Sequence, residues 1–270
     1  MSLGSLVALS LLAALSQAIP SPPLYFENRC DHFSITPCTY SQRYYTNASS
    51  FGGAGSPIIV IMGGEGAIAP TTGIFYPSVV VLAERLHALI IEPEHRGYGE
   101  SQPTPFDTHG MSLITAPQAL ADAVALILAT QEANNCTGRV GSGPRCPVLT
   151  VGGSYPGWLS AMMRLRYPAV VDMAYAGSAP MGFYSQQVDQ YAYYARVTES
   201  AARASAGCPD AVRGMLAGSI VGASKADMVS GLNLCTPLPD YLAAGDATLL
   251  AQELAMVVMY TFAGQWERGG

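Results

Sequence analysis

Four short runs, "PIIVIM" (57–62), "ALIIEP" (88–93), "PVLTVG" (147–152) and "VVDMAYAG" (170–177), are apolar almost from end to end. A half-exposed strand alternates apolar and polar side chains, so short runs without alternation suit strands buried on both faces. Helix-length segments lie between them. "PSVVVLAERL" (77–86) is one, and "GWLSAMMRLRYP" (157–168), stopped near Pro168, is another. In "TAPQALADAVALILATQEA" (115–133), Leu120, Val124, Ile127 and Leu128 recur at helical spacing, and Thr115 with Gln118 predicts a capping box. Strands alternating with helices restrict the chain to the α/β class: a mainly parallel sheet with helices on both faces.

The flanks read differently. Residues 1–18 carry a short apolar run, Leu6 to Leu15, followed by Ser16-Gln17-Ala18, which is a small-x-small cleavage pattern. That run is too short to span a bilayer and predicts a secretory signal. From about 183 to 270 the chain is alanine-rich, with helical spacing and Gly, Pro and Ser breaks, and has no buried strand. The expected organisation is therefore a signal peptide (1–18), a sheet domain (19–182) and a helical region (183–270).

Charge narrows the partners. Charged residues are 12% of the chain, about half the usual share, and the formal net charge is -6 with Lys225 as the only lysine. Such a surface offers no basic stripe for nucleic acid and no polybasic patch for lipid. No later segment is an uninterrupted apolar run of spanning length, so no stable membrane insertion is expected once the signal is removed.

The six cysteines fall in sequence-local pairs, Cys30 with Cys38, Cys136 with Cys146 and Cys208 with Cys235, although other connectivities are open. No C-x-x-C or His/Cys cluster points to a metal, and no cofactor is indicated, so disulfides of an exported protein are the reading. Asn47-Ala-Ser49 and Asn135-Cys-Thr137 match the glycosylation acceptor pattern in loop-like surroundings.

The third apolar run leads into "GGSYPG" (152–157). A serine at the tip of a sharp strand-to-helix turn is a nucleophile elbow, and its neighbours must be small because the helix crosses close to the strand. Ser154 is the candidate nucleophile. The backbone N–H of Tyr155 would face the developing oxyanion, and Gly64 or Glu65, in the "GGEG" loop after the first run, would supply the second donor. One departure stands out: Pro156 occupies the position where G-x-S-x-G has glycine, and Gly157 follows. Proline is tolerated in a first helical turn. In "PEHRGYGESQP" (93–103), Glu94, His95, Arg96 and Glu100 read as a structural loop, with Arg96 and Glu100 available for ion pairing and His95 as a hydrogen-bonding residue.

Taken together, "DHF" (31–33), "QRYY" (42–45), "GGEG" (63–66), "EHRGYGES" (94–101), "QALAD" (118–122), "GGSYPGWLSAMMRLRYP" (152–168) and "AGSAP" (176–180) resemble the Pro-Xaa carboxypeptidase family of serine peptidases. The resemblance runs from about residue 25 to 182, and more loosely into "LNLCTPL" (232–238). It implies an α/β-hydrolase sheet with an inserted helical cap, secretion or a lysosomal or vacuolar site, and exopeptidase activity on peptide substrates beside proline at acidic pH. It also implies that Ser154 is the nucleophile, that His95 is not the catalytic histidine, and that a homodimer is allowed.

The base is the gap. In α/β-hydrolases the triad follows the order Ser, Asp, His, whereas His32, His87, His95 and His109 all precede Ser154. Asp172, Asp189, Asp210, Asp227, Asp240 and Asp246 follow it, but none falls where the resemblance marks a catalytic residue. The expectation is an N-terminal portion of a serine peptidase, inactive alone because a serine without its base is a weak nucleophile. A lipase or esterase on the same fold, and a non-catalytic secreted protein, are the alternatives.

Overall fold

The computed structural model describes residues 22–103, 108–136 and 143–267, so the expected signal at 1–18 lies outside the described residues. Two compact units divide the chain, one ending at Met181 and one beginning at Gly182.

The first unit is built on six strands: β1 (Leu24–Arg29), β2 (Thr39–Asn47), β3 (Ile58–Ile61), β4 (Leu89–Pro93), β5 (Val148–Gly153) and β6 (Met173–Gly177). Their order in the sheet is β1-β2-β4-β3-β5-β6. The pairs β3–β4, β3–β5 and β5–β6 are parallel, while β1–β2 and β2–β4 are antiparallel. All four apolar runs became strands. The polar, aromatic N-terminal stretch formed β1 and β2 as well, closed by the Cys30–Cys38 disulfide.

The helices of this unit are α1 (Pro77–Leu86), α2 (Thr108–Ser112), α3 (Ala116–Ala133) and α4 (Ser154–Arg166). From β3 the chain crosses to β4 on one side through α1, then returns past β3 to β5 through α3. Because such crossovers are right-handed, the two helices lie on opposite faces. Accordingly Ile59, Ile61 and Ile90 pack against Val79 and Ala83 of α1. Ile58, Val60, Leu89, Ile91 and Val148 pack against Leu120, Ala123, Leu126 and Ile127 of α3 and Leu159 and Met163 of α4. Each fully buried isoleucine in these layers contributes about 1.5–3 kcal/mol over exposure. The resulting reversal at β3 and β5 is where open α/β sheets place their ligands, outside the carboxyl ends of the strands. Sheet order, alternating helices and the turn at Ser154 make this an α/β-hydrolase fold.

The expected capping box at α3 is absent. Thr115 occupies the N-cap without a side-chain cap bond. Gln118 instead spends its amide elsewhere: its Oε1 accepts from the His32 N–H at 2.9 Å, and its Nε2 donates to Asp31. A tertiary partner has outcompeted the local one.

The second unit is helical: α5 (Met181–Tyr184, which straddles the boundary), α6 (Ala192–Ala204), α7 (Cys208–Ser219), α8 (Lys225–Gly231), α9 (Asp240–Ala244) and α10 (Ala247–Glu267). Ile220, Met228, Leu242 and Leu250 form its small core. Ser224 caps α8 by accepting from the Asp227 N–H. Among the described residues no helix is long and apolar enough to cross a membrane.

Of the three local cysteine pairs, Cys30–Cys38 and Cys136–Cys146 are bonded, while Cys208 and Cys235 are both free thiols. Cys208 opens α7, half-buried, and Cys235 is exposed in the turn between α8 and α9.

Candidate active site

Strand β5 ends at Gly153 in extended conformation, and the very next residue begins α4. The chain reverses there because Ser154 takes φ 58°, in the left-handed region. That conformation costs a non-glycine residue on the order of 1–3 kcal/mol and persists only where the surroundings enforce it. Here the enforcement is close packing. A Cβ on Gly152 would run into the Pro156 carbonyl, and one on Gly157 would lie 2.8 Å from the Gly177 oxygen of β6. The helix thus crosses directly over the strands that feed it. Ser154 is exposed at the tip of this turn, and its hydroxyl takes no hydrogen bond among the described residues.

Pro156 fits because of the loop opposite. A Cβ on Gly64 would sit 2.8 Å from the Pro156 Cγ, so the glycine loop leaves room for the proline ring. Gly157 supplies the close helix–strand approach that glycine at 156 would otherwise give. The loop and the elbow share the wall of a cleft of about 620 Å³, lined in part by Gly63, Gly64, Glu65, Gly153 and Pro156. Tyr155 lies in the first turn of α4, where backbone N–H groups stand outside the intrahelical ladder.

Glu92 lines the same cleft at the end of β4. It is buried, accepts one long hydrogen bond from the Ile74 N–H at 3.3 Å, and has Gly73 against its carboxyl, where any side chain would collide. Burial pushes its carboxyl up to about 7, opposed by the Ile74 N–H and helped by the charge of Glu94.

The Glu94-His95-Arg96 segment that follows β4 is buried throughout. The Glu94 carboxylate accepts from Arg43, from the N–H groups of Ile68, Glu100 and Ser101, and from the Ser101 hydroxyl. Arg96 makes a bidentate pair with Asp122 of α3, both contacts at 2.6 Å, and donates to the carbonyls of Arg29, Cys30 and Leu113. Asp122 also receives the Tyr40 hydroxyl and the His32 ring, each at 2.8 Å. Glu100 pairs with Arg43, so Arg96 and Glu100 each form an ion pair, with separate partners.

Between these two anchors, the His95 Nδ1 is 2.7 Å from the Arg96 carbonyl and its Nε2 is 2.9 Å from the Tyr155 hydroxyl. A carbonyl only accepts, so Nδ1 carries the proton and Nε2 accepts from Tyr155. Burial depresses the His95 pKa, which favours the neutral ring. None of His32, His87 and His95 bonds Ser154: His32 serves Asp122, and His87 forms the left-handed end of α1.

A family model described as serine carboxypeptidase S28 matches residues 28–265. The chain belongs to this family. It is 32% identical to lysosomal Pro-X carboxypeptidase of Mus musculus over 229 residues, which cover 80% of this chain and 44% of the relative. It is 34% identical to prolyl carboxy peptidase like protein 5 of Caenorhabditis elegans over 169 residues, 60% of this chain and 31% of the relative. The thymus-specific serine protease of Homo sapiens is 31% identical over 159 residues, 58% of this chain and 30% of the relative. This S28 chain thus spans less than half the length of these curated relatives.

The elbow, the glycine loop and the Glu-His-Arg segment, each expected just after an apolar run, stand at the carboxyl ends of β5, β3 and β4 of this S28 chain, side by side. Sequence reasoning did not find Asp122 or Arg43 as the partners of Arg96 and Glu94. The signal for Asp122 is an acidic residue flanked by Leu120, Ala123 and Leu126 on the core face of α3, a position that calls for hydrogen-bonding or charged partners. Of the two acceptor asparagines, Asn135 is exposed, whereas Asn47 donates its amide to the Ile74 carbonyl at 3.2 Å.

Proposed function

We propose that Ser154 is the nucleophile of a serine exopeptidase that cleaves peptides beside proline through an acyl-enzyme. The observation that carries this is an exposed serine with left-handed φ set between the end of β5 and the first turn of α4, the strand-to-helix elbow that presents a nucleophile. Tyr155 N–H and an N–H of Gly64 or Glu65 are the oxyanion donors in this reading; Gly64 and Glu65 line the cleft, and Tyr155 is flanked in sequence by the elbow residues Gly153 and Pro156 that line it too. Membership in the serine carboxypeptidase S28 family supports the peptidase class, and the names of the mouse and worm relatives support proline beside the scissile bond. The two disulfides and the lysosomal name of the mouse relative favour an exported or lysosomal protein. Residues 19–182 are then the hydrolase part and those from 183 the helical region inserted after the elbow.

A nucleophilic Ser154 needs a general base that His32, His87 and His95 do not supply. In this fold the base follows the nucleophile in chain order, so the proposal assigns the triad Asp and His to polypeptide outside the present residues. Without them the present chain alone is inactive.

The test is fluorophosphonate labelling of the protein from its native source, with mass mapping of the modified peptide. Modification of Ser154, lost in Ser154→Ala, on a polypeptide longer than these residues is the expected result. Cleavage of proline-containing peptides in preference to acyl esters separates a peptidase from a lipase. An unmodified Ser154 in the native protein overturns the proposal.

A further inference from the structure

An oxyanion hole built from Tyr155 and the loop after β3 joins two segments about ninety residues apart in sequence, and something must hold their spacing. In the structure both segments rest on one residue. Gly63, which opens the loop, lies directly on the backbone beyond β4: a Cβ there would stand 2.8 Å from the His95 nitrogen and collide with the Pro93 carbonyl. The His95 side chain reaches the other segment, with Nε2 accepting from the Tyr155 hydroxyl at 2.9 Å and the two rings 5.6 Å apart. His95 has no freedom of its own. Its Nδ1–H is bound to the Arg96 carbonyl, Tyr98 packs edge-on against its ring, and the flanking Glu94 and Arg96 are fully buried and multiply bonded.

We propose that His95 is a positioning residue for the oxyanion hole: its backbone bears the Gly63–Gly66 loop while its side chain holds Tyr155, setting the distance between the two donors. This rests on the reading of Ser154 as nucleophile. His95 touches neither substrate nor the reacting hydroxyl; it acts through Tyr155. This gives a role to a buried histidine with both ring nitrogens engaged, held between the multiply bonded Glu94 and Arg96.

The test compares rates of fluorophosphonate labelling in the full-length native polypeptide carrying His95→Phe, Tyr155→Phe, both together, His95→Gln or His95→Asn. Tyr155→Phe removes one oxygen and keeps the ring stacked on Trp158, so it does not threaten folding, and Trp158 emission checks that the stack survives. Loss of the link loosens the donors, and the inactivation rate falls roughly 10- to 100-fold in either Phe variant. The double variant is no slower than the singles, because both remove the same bond. Gln carries an acceptor out to the reach of Nε2 and restores rate; the shorter Asn does not. If the Phe variants label within twofold of the parent, or if their effects multiply, the positioning role is wrong while Ser154 stands. If the parent itself leaves Ser154 unmodified, the nucleophile reading falls and takes this one with it.

Discussion

Among the described residues, Glu92 is a carboxyl without a cation, held in the wall of the cleft by one backbone N–H. Its protonated form is the one the fold accepts, so its contribution to stability has a definite sign. The folded-state pKa of about 7 lies above the ordinary 4.5, so the contribution is complete below about 4.5 and is lost as pH rises through 7. At roughly 1.4 kcal/mol per pKa unit, the loss is on the order of 3 kcal/mol by pH 8. We expect Glu92→Gln to flatten the fall in melting temperature between pH 5 and pH 8 and to exceed the parent at the alkaline end. An unchanged profile would mean that the carboxyl finds a partner in solution. The residue scale is also where the sequence was least legible. "IIEP" reads as part of an apolar strand, and nothing in the run says that the glutamate faces a cleft beneath a glycine. Ser154 lies at the other extreme. Its two glycines, the apolar run before it and the helical segment after it placed it at an elbow, because the local steric demand and the local pattern coincide.

At the scale of elements, Arg96 joins parts that the sheet alone does not hold: β1 through the carbonyls of Arg29 and Cys30, α3 through Asp122, and the segment before α3 through Leu113. Lysine cannot reproduce a bidentate contact together with three carbonyl bonds. Arg96→Lys leaves Asp122 underpaired in a buried site, and we expect about 3–5 kcal/mol of destabilisation by denaturant titration, with the midpoint shifted and the slope kept. A loss below 1 kcal/mol would show that water reaches Asp122. This network also explains which elements pattern reading found. Strands β3, β4 and β5 were legible because their burial is mainly apolar, and β6 was legible from its apolar run although it is largely exposed. Strands β1 and β2 were not, because their buried positions include Asn28 and Gln42, which bond each other and turn toward Asp122 and Glu94. Alternation was hidden by polar residues that are buried for their hydrogen bonds. The failed capping box belongs to the same cluster, since Gln118 is drawn to Asp31 and His32.

For the molecule as a whole, the strand at the far side of the parallel sheet sets its behaviour in solution. β6 pairs with β5 alone among the described strands, and Met173 and Tyr175 on it are 53% and 65% exposed. An open strand edge with large apolar side chains is a template for association. Expressed as these 270 residues, the chain should bind hydrophobic dyes and sediment as mixed oligomers, and Tyr175→Lys should reduce both. A monodisperse parent with one cooperative transition would contradict this. Another whole-molecule consequence lies in the order of synthesis. Cys30 and Cys38 are eight residues apart, and Cys136 and Cys146 ten. Each partner follows the other within moments of leaving the ribosome, so each bridge can close before the next cysteine emerges. In the exported protein proposed above, every earlier thiol is already spent by the time Cys208 and Cys235 reach the oxidising compartment. The chain can therefore oxidise correctly from its start without having to exchange a wrong bridge for a right one.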